Sequence, residues 1–199
     1  MNPSLVGSEM CIRDRIIRVP DPFLKIVAEP VINIDQHILK LLDDMLETMY
    51  DANGIGLAAT QVAENKRMIV MDCGKTNLSQ KDLTEEEYNE IVKTQKFEPS
   101  PIKMINPEII YSSSILSERE EGCLSIPGYN AQVKRPEAIK VKYTNESEEK
   151  ITLEAVGLLA TCIQHEVDHL NGILFIDHIS RLKREIILRK AIKEFTADK

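Results

Sequence analysis

Apolar residues recur along this chain with two different spacings, and the changes between them mark out its elements. Ile38, Leu42, Met45, Leu46 and Met49 follow a helical period behind Asp35, a residue type suited to an N-cap, and predict a helix to about Asp51. The stretch NGIGLAATQV (53–62) is a loop punctuated by glycine, and it leads into RMIVMDC, an uninterrupted apolar run that predicts a strand. KMINPEII and EGCLSIPG have strand character, and AIKVKYT and KITLEAV, joined by a polar NESEE turn, predict a hairpin. GLLATCIQHEVDHLNG predicts a central helix with Leu158, Leu159, Cys162, Ile163, Val167 and Leu170 as its apolar positions. Gly172 stands where a C-terminal cap belongs. Ser180 can cap a last helix, RLKREIILRKAIKEF, while Pro20 and Pro22 break IIRVPDPFLK into an edge strand or extended arm. The expected fold is α+β: antiparallel strands packed around that central helix, followed by a C-terminal helix. There are no internal repeats.

Two segments stand apart from this pattern. Residues 74–100 are polar and rich in Lys and Glu, with Thr84 and Glu87 placed as a capping box, and are expected to form a surface insertion. The first 15 residues, MNPSLVGSEMCIRDR, fit neither a signal peptide nor an Arg-rich transit peptide. SLVGSEMCIRDR resembles translated adapter sequence, so a native start near Ile16 is expected, with one domain over 16–199.

Composition narrows the function. With 199 residues, 43% hydrophobic, the chain can bury a real core as one domain. A net charge of −7 argues against a general DNA-binding surface, and no apolar run approaches the ~18 residues of a membrane span. The four cysteines form no C-x-x-C pair and read as reduced cytosolic thiols.

The strongest chemical signal is HEVDH at 165–169. On a helix, His165 and His169 lie one turn apart on one face and can share an ion, while the adjacent Glu166 can serve as a base. Catalytic sites of this kind take three protein ligands and leave a position open for water. Several residues could be the third. An extended H-E-x-x-H-x-x-G-x-x-H pattern matches through Gly172 but would place its histidine at Phe175, and so fails. Glu185 and Glu194 lie in a Lys/Arg-rich helix, and His37 and His178 have the character of surface or capping residues. Cys123, in EGCLS, is the remaining candidate.

GIGLAATQ (54–61), EGCLS (121–125) and QHEVDH (164–169) together resemble, in order and rough spacing, the three signature motifs of peptide deformylases. The resemblance runs from about Ile16 through the final helix, apart from the 74–100 segment. It implies Cys123 as the third ligand beside His165 and His169. It also implies Fe(II) as the native metal, replaceable by Zn(II), Ni(II) or Co(II), in an enzyme that removes the formyl group from N-formylmethionyl nascent peptides. Glu166 would act as general base and then acid, and the Gln61 side chain and Leu124 backbone N–H as oxyanion donors. Ile55, Leu124, Ile126, Leu158, Thr161 and Cys162 would form the methionine pocket, with Gly56 and Gly122 allowing the peptide backbone to approach. Glu121 and Arg135 are expected to pair and brace the EGCLS strand. Many relatives carry a larger apolar residue at 161 and an Arg at 130, so this pocket is expected to differ from theirs. The implied setting is a monomer in the bacterial cytoplasm, with ribosome docking through the basic C-terminal helix. The alternative is a related metallohydrolase acting on another N-acyl substrate.

Overall fold

The structure, a computed structural model, describes residues 16–74 and 99–197. The 1–15 leader and the 75–98 part of the polar segment, with its Thr84–Glu87 box, lie outside the described residues. Helix α1 (Gln36–Asp51) begins where Asp35 accepts a hydrogen bond from the Ile38 N–H at 2.9 Å. It buries Ile38, Leu41, Leu42, Met45 and Met49 on one face, as the apolar spacing requires.

That face lies on a sheet. β1 (Gly56–Ala58), β2 (Met68–Met71), β3 (Ile102–Ser112), β6 (Ala138–Thr144) and β7 (Lys150–Val156) form five antiparallel strands in the order β1-β2-β3-β6-β7. β2 explains the unbroken apolar run of RMIVM, because both of its faces are covered. Met68 and Val70 join the cluster around α1, and Ile69 and Met71 join the cluster around α2 (Gly157–Leu170) on the other side. α2 is thereby buried along nearly its whole length, Ala160 to Val167 included.

The second sheet is the hairpin of β4 (Leu116–Cys123) and β5 (Ile126–Pro136), whereas EGCLSIPG had the pattern of one strand. The chain reverses at Leu124–Ser125. The register then jumps from Gly122 opposite Asn130 to Cys123 opposite Ile126, leaving Pro127, Gly128 and Tyr129 bulged out of the ladder. Gly128 takes the positive φ (+82°) that such a bulge needs. The hairpin's inner face packs with Leu174, Phe175, Ile176 and Ala191, the last of these from helix α3 (Arg181–Ala197).

The arm at 16–25 forms no strand. Asp21 caps a short 3-10 turn, Pro22–Lys25, by accepting from the Phe23 N–H at 2.9 Å. The Ile17 N–H donates to the Gln61 carbonyl (2.8 Å) and the Val19 N–H to the Ser125 carbonyl (3.1 Å), so one arm ties two of the three motif loops together. Gly172 closes α2 with φ +71°, and a Cβ there would fall 2.5 Å from the Lys25 carbonyl oxygen. Only glycine fits that crossing.

Asp72, buried at the end of β2, clamps both stems of the polar segment. It accepts from Tyr50 Oη at 2.5 Å, from the Gly74 N–H at 2.9 Å and from the Ser100 N–H at 3.0 Å. Burial raises the carboxyl, but the bonds from Tyr50, Ser100 and Gly74 outweigh it and hold Asp72 below its usual range. Burial and Asp72 together push Tyr50 up to about 12. A carboxyl depressed in the folded state stabilises above its unfolded pKa of ~3.9, and that stabilisation is lost as pH falls through the folded value. Asp72→Ala should therefore cost about 1–3 kcal/mol at neutral pH, with the gap to the parent narrowing below pH ~4. Urea unfolding across that pH range measures it, and a gap that stays constant would exclude a role for the charge.

Candidate metal centre and active site

α2 carries His165 and His169 on the face turned toward the hairpin, and the β4 bend brings Cys123 up to them. The ligating atoms of Cys123, His165 and His169 lie within 4.8 Å of one another, with Cys123 Sγ 3.2 Å from His169 Nε2. A tetrahedral ion with ~2.3 Å bonds to sulfur and ~2.0 Å bonds to nitrogen needs donors separated on this scale, so the trio fits a divalent cation. The other candidates stand elsewhere. Glu185 pairs with Arg181, Glu194 accepts from the Tyr129 hydroxyl, and His37 lies on the exposed side of α1. Phe175, where an extended motif would need histidine, stacks on His165 at 6.2 Å between ring centroids.

The orientation of His165 is set from behind. Its Nδ1 lies 2.8 Å from Glu121 Oε2, which leaves Nε2 for the ion. Glu121 is gripped in turn by Arg135, Nε to Oε1 at 2.5 Å and Nη2 to Oε2 at 2.9 Å, both side chains being buried. The expected brace between the two strands is present, and it also holds a ligand. Burial opposes ionisation of Glu121, yet His165 and Arg135 bring its carboxyl down to about 2. Burial likewise works against a charge on His165, but its bonds to Cys123 and Glu121 outweigh it and hold the imidazole well above its usual value. His169 goes the other way, pushed well below its usual value by burial and then by His165. It is kept neutral, the form that ligates.

Glu166 points into the same space. Its Oε2 is buried with no hydrogen-bond partner among the described residues, and burial pushes its carboxyl up to about 7. The Gln61 amide is fixed end to end. Its Oε1 accepts from the Ala58 N–H at 2.9 Å, which turns Nε2 toward Ser125 Oγ (3.1 Å) and Cys123 Sγ (3.5 Å).

A cleft of about 390 Å³ opens over these groups. Ile55 and Leu158 stand half exposed at its rim, while Thr161 and Cys162 are buried in its wall. Gly56, Gly122 and Leu124 also line it. Ile126 does not belong to this group. Entering β5 directly opposite Cys123, it turns away from the cleft and is fully buried with Val19, Leu24 and Phe175 beneath the hairpin. Alternation along a strand puts neighbouring side chains on opposite faces, and sequence alone did not show which face position 126 takes. Ser125, Asp168 and Phe175 are site neighbours that sequence reasoning missed. For Asp168 the signal was its place inside HEVDH.

Gly56 is demanded by the site itself. A Cβ at this position would collide with Glu166 Oε1 and stand 2.8 Å from Cys162 Sγ. Gly56→Ala should displace the Glu166 carboxylate and lower kcat/KM about 10²-fold while the circular-dichroism spectrum stays that of the parent. Full activity would mean that the carboxylate has room to spare.

Comparison with known proteins agrees with this geometry. A family model described as Polypeptide deformylase matches residues 13–185. A peptide deformylase of Rhizobium meliloti is 50% identical over 89% of this chain and 91% of its own length, and that of Methylocella silvestris is 48% identical over 92% and 85%. The crystal structure of peptide deformylase from Ehrlichia chaffeensis superposes with a TM-score of 0.77 at 39% identity, covering 90% of this chain and 95% of that one. A second structure of that enzyme, in complex with actinonin, gives 0.76 at 38% identity over 90% and 96%. Similarity of this extent, across a site in which Cys123, His165 and His169 converge, identifies the chain as a member of the peptide deformylase family.

Proposed function

We propose that this enzyme removes the formyl group from the amino-terminal formylmethionine of nascent peptides, with Cys123, His165 and His169 holding a divalent metal. The observation that carries the reading is the buried Glu166 carboxylate, whose Oε2 has no hydrogen-bond partner among the described residues and which lines the same cleft as Cys123 and His165. One thiolate and two imidazoles suit borderline ions, and Fe(II) is the proposed native metal, with Zn(II), Ni(II) or Co(II) able to replace it. When bound, the cation lowers the pKa of a water molecule toward neutrality.

The chain's own residues do the rest. Glu166 accepts the proton of the attacking water and returns it to the departing amine, as base and then acid. Gln61 Nε2 and the Leu124 N–H are the donors for the charge that develops on the formyl oxygen. The Ala58 N–H bond to Oε1 keeps Nε2 turned toward Cys123, and the long 3.5 Å contact with Cys123 Sγ is the one that gives way to the formyl oxygen. The methionine side chain enters the cleft between Ile55, Leu158, Thr161 and Cys162, and its backbone passes Gly56 and Gly122. Formate and a free amino terminus leave.

The proposed setting is a monomer in the bacterial cytoplasm that meets peptides at the ribosome through α3. Arg181 and Arg184 are engaged by Glu185 and Asp177, but Lys183, Arg189, Lys190 and Lys193 lie exposed. Ile187, Leu188, Ala191 and Phe195 anchor the helix in the hairpin core, so charge reversal probes docking more cleanly than deletion. No helix among the described residues is long and apolar enough to cross a membrane.

The reading predicts rapid formate release from formyl-Met-Ala-Ser by protein loaded anaerobically with Fe(II), or with Ni(II). In Glu166→Ala the rate should fall about 10²–10⁴-fold. Folded, metal-loaded parent protein that releases no formate would point instead to another N-acyl substrate. Reversing Lys183, Arg189, Lys190 and Lys193 to Glu should abolish co-sedimentation with ribosomes and leave formate release from the short peptide unchanged. Retained co-sedimentation would remove α3 as the docking element.

A further inference from the structure

The grip on His165 continues beyond Glu121 and Arg135 to Asp168, within the third motif, and from there to His178, outside all three. The third edge of the Arg135 guanidinium, Nη1, donates to Asp168 Oδ2 at 2.8 Å. The same oxygen lies 2.7 Å from His178 Nε2. Asp168 sits on α2 three residues after His165, so the contacts form a closed ring. It runs from the helix through His165 to Glu121 on β4, to Arg135 on β5, and back to the helix at Asp168. His178 joins the ring from outside, at the end of the 3-10 turn Phe175–His178.

We propose that His178 is a positioning residue of the metal centre, holding the Asp168 carboxylate against Arg135 so that the Arg135–Glu121 grip keeps His165 Nε2 aimed at the ion. Three features favour this over a casual surface contact. First, the turn bearing His178 is itself pinned. Neighbouring Asp177 accepts from the Leu174 N–H at 2.9 Å and pairs with Lys25 at 2.6 Å and Arg184 at 3.3 Å. His178 therefore presents its ring from a fixed backbone. Second, the same turn already reaches His165 directly, because Phe175 stacks on the imidazole with an interplanar angle of 20°. Third, Asp168 is the outermost carboxylate of the ring, with 17% of its side chain exposed against 4% for Glu121. Without a second donor it is the member freest to turn toward water and release Arg135.

An isolated, half-exposed His–Asp contact would contribute almost nothing. A contact that orients a ligand through a buried chain affects metal retention, where losses of such supports amount to roughly tenfold or more. The proposal rests on the metal-centre reading given above. Its test compares the Co(II)-loaded parent with His178→Leu and His178→Gln, glutamine keeping an N–H donor at a similar reach. The readouts are the rate of Co(II) transfer to EDTA and the Co(II) ligand-field absorption spectrum. His178→Leu should release the ion roughly tenfold faster with an altered spectrum, and His178→Gln should return both to within about twofold of the parent. With formyl-Met-Ala-Ser, kcat should fall in the Leu variant while KM stays unchanged. Parent-like release and spectrum in His178→Leu overturn the proposal, and so does a His178→Gln protein as fast as His178→Leu, which would mark lost packing rather than a lost donor. A parent that holds no Co(II) overturns the metal-centre reading and this proposal with it.

Discussion

The buried pairing of Glu121 with Arg135 is the interaction on which the rest of the site depends. It joins the two strands of the hairpin, with Glu121 two residues before Cys123, and through His165 it joins that hairpin to α2. Such a pair is no simple stabiliser, because desolvation of two charges offsets most of their attraction. Breaking it is a different matter, since removal of one partner strands the other charge in the core at a cost of about 3–5 kcal/mol. What it provides is direction: one imidazole nitrogen is committed to a carboxylate, and the other faces the thiol and the second histidine.

The architecture around that pair serves to bury α2. A helix carrying two imidazoles and a glutamate would ordinarily sit with its polar face in water. Here the sheet covers one side through Ile69, Met71 and Met104, and the hairpin and the 3-10 turn cover the rest. Burial tunes these groups, since the same exclusion of water pushes Glu166 up to about 7 and holds His169 well below its usual value. It also leaves little slack. Gly56 passes so near Glu166 that one methyl group does not fit, and Gly172 crosses the Lys25 carbonyl under the same restriction.

Much of this was legible in the order of residues, for reasons that are local. The apolar spacing of α1 and its Asp35 cap depend only on neighbours within a turn or two, and both appear as expected. The double burial of β2 was written in its unbroken apolar run. HEVDH predicted two imidazoles on one helical face because the helix repeat alone brings them together. Cys123 was different: no spacing rule connects position 123 with 165, elimination left it only as a candidate, and the resemblance of three motifs taken together made it the ligand.

Other features depend on where distant segments meet. Ile126 had the composition of a pocket residue, but the three-residue bulge after the Leu124–Ser125 turn sets its register, and the side chain went under the hairpin. Asp168 had only its place inside HEVDH to mark it and His178 had nothing, since Asp168 meets Arg135 from 33 residues upstream and His178 from 10 residues downstream. The sequence by itself determined which helices form, which strand is buried on both faces and which residues have the chemistry to hold a metal, because helix period, capping and donor type are properties of short stretches. The tertiary structure alone decided which nitrogen of His165 is free, how close Gly56 lies to Glu166 and which charges stand behind the ligands. Each of those depends on the packing of elements that the chain brings together only when it folds.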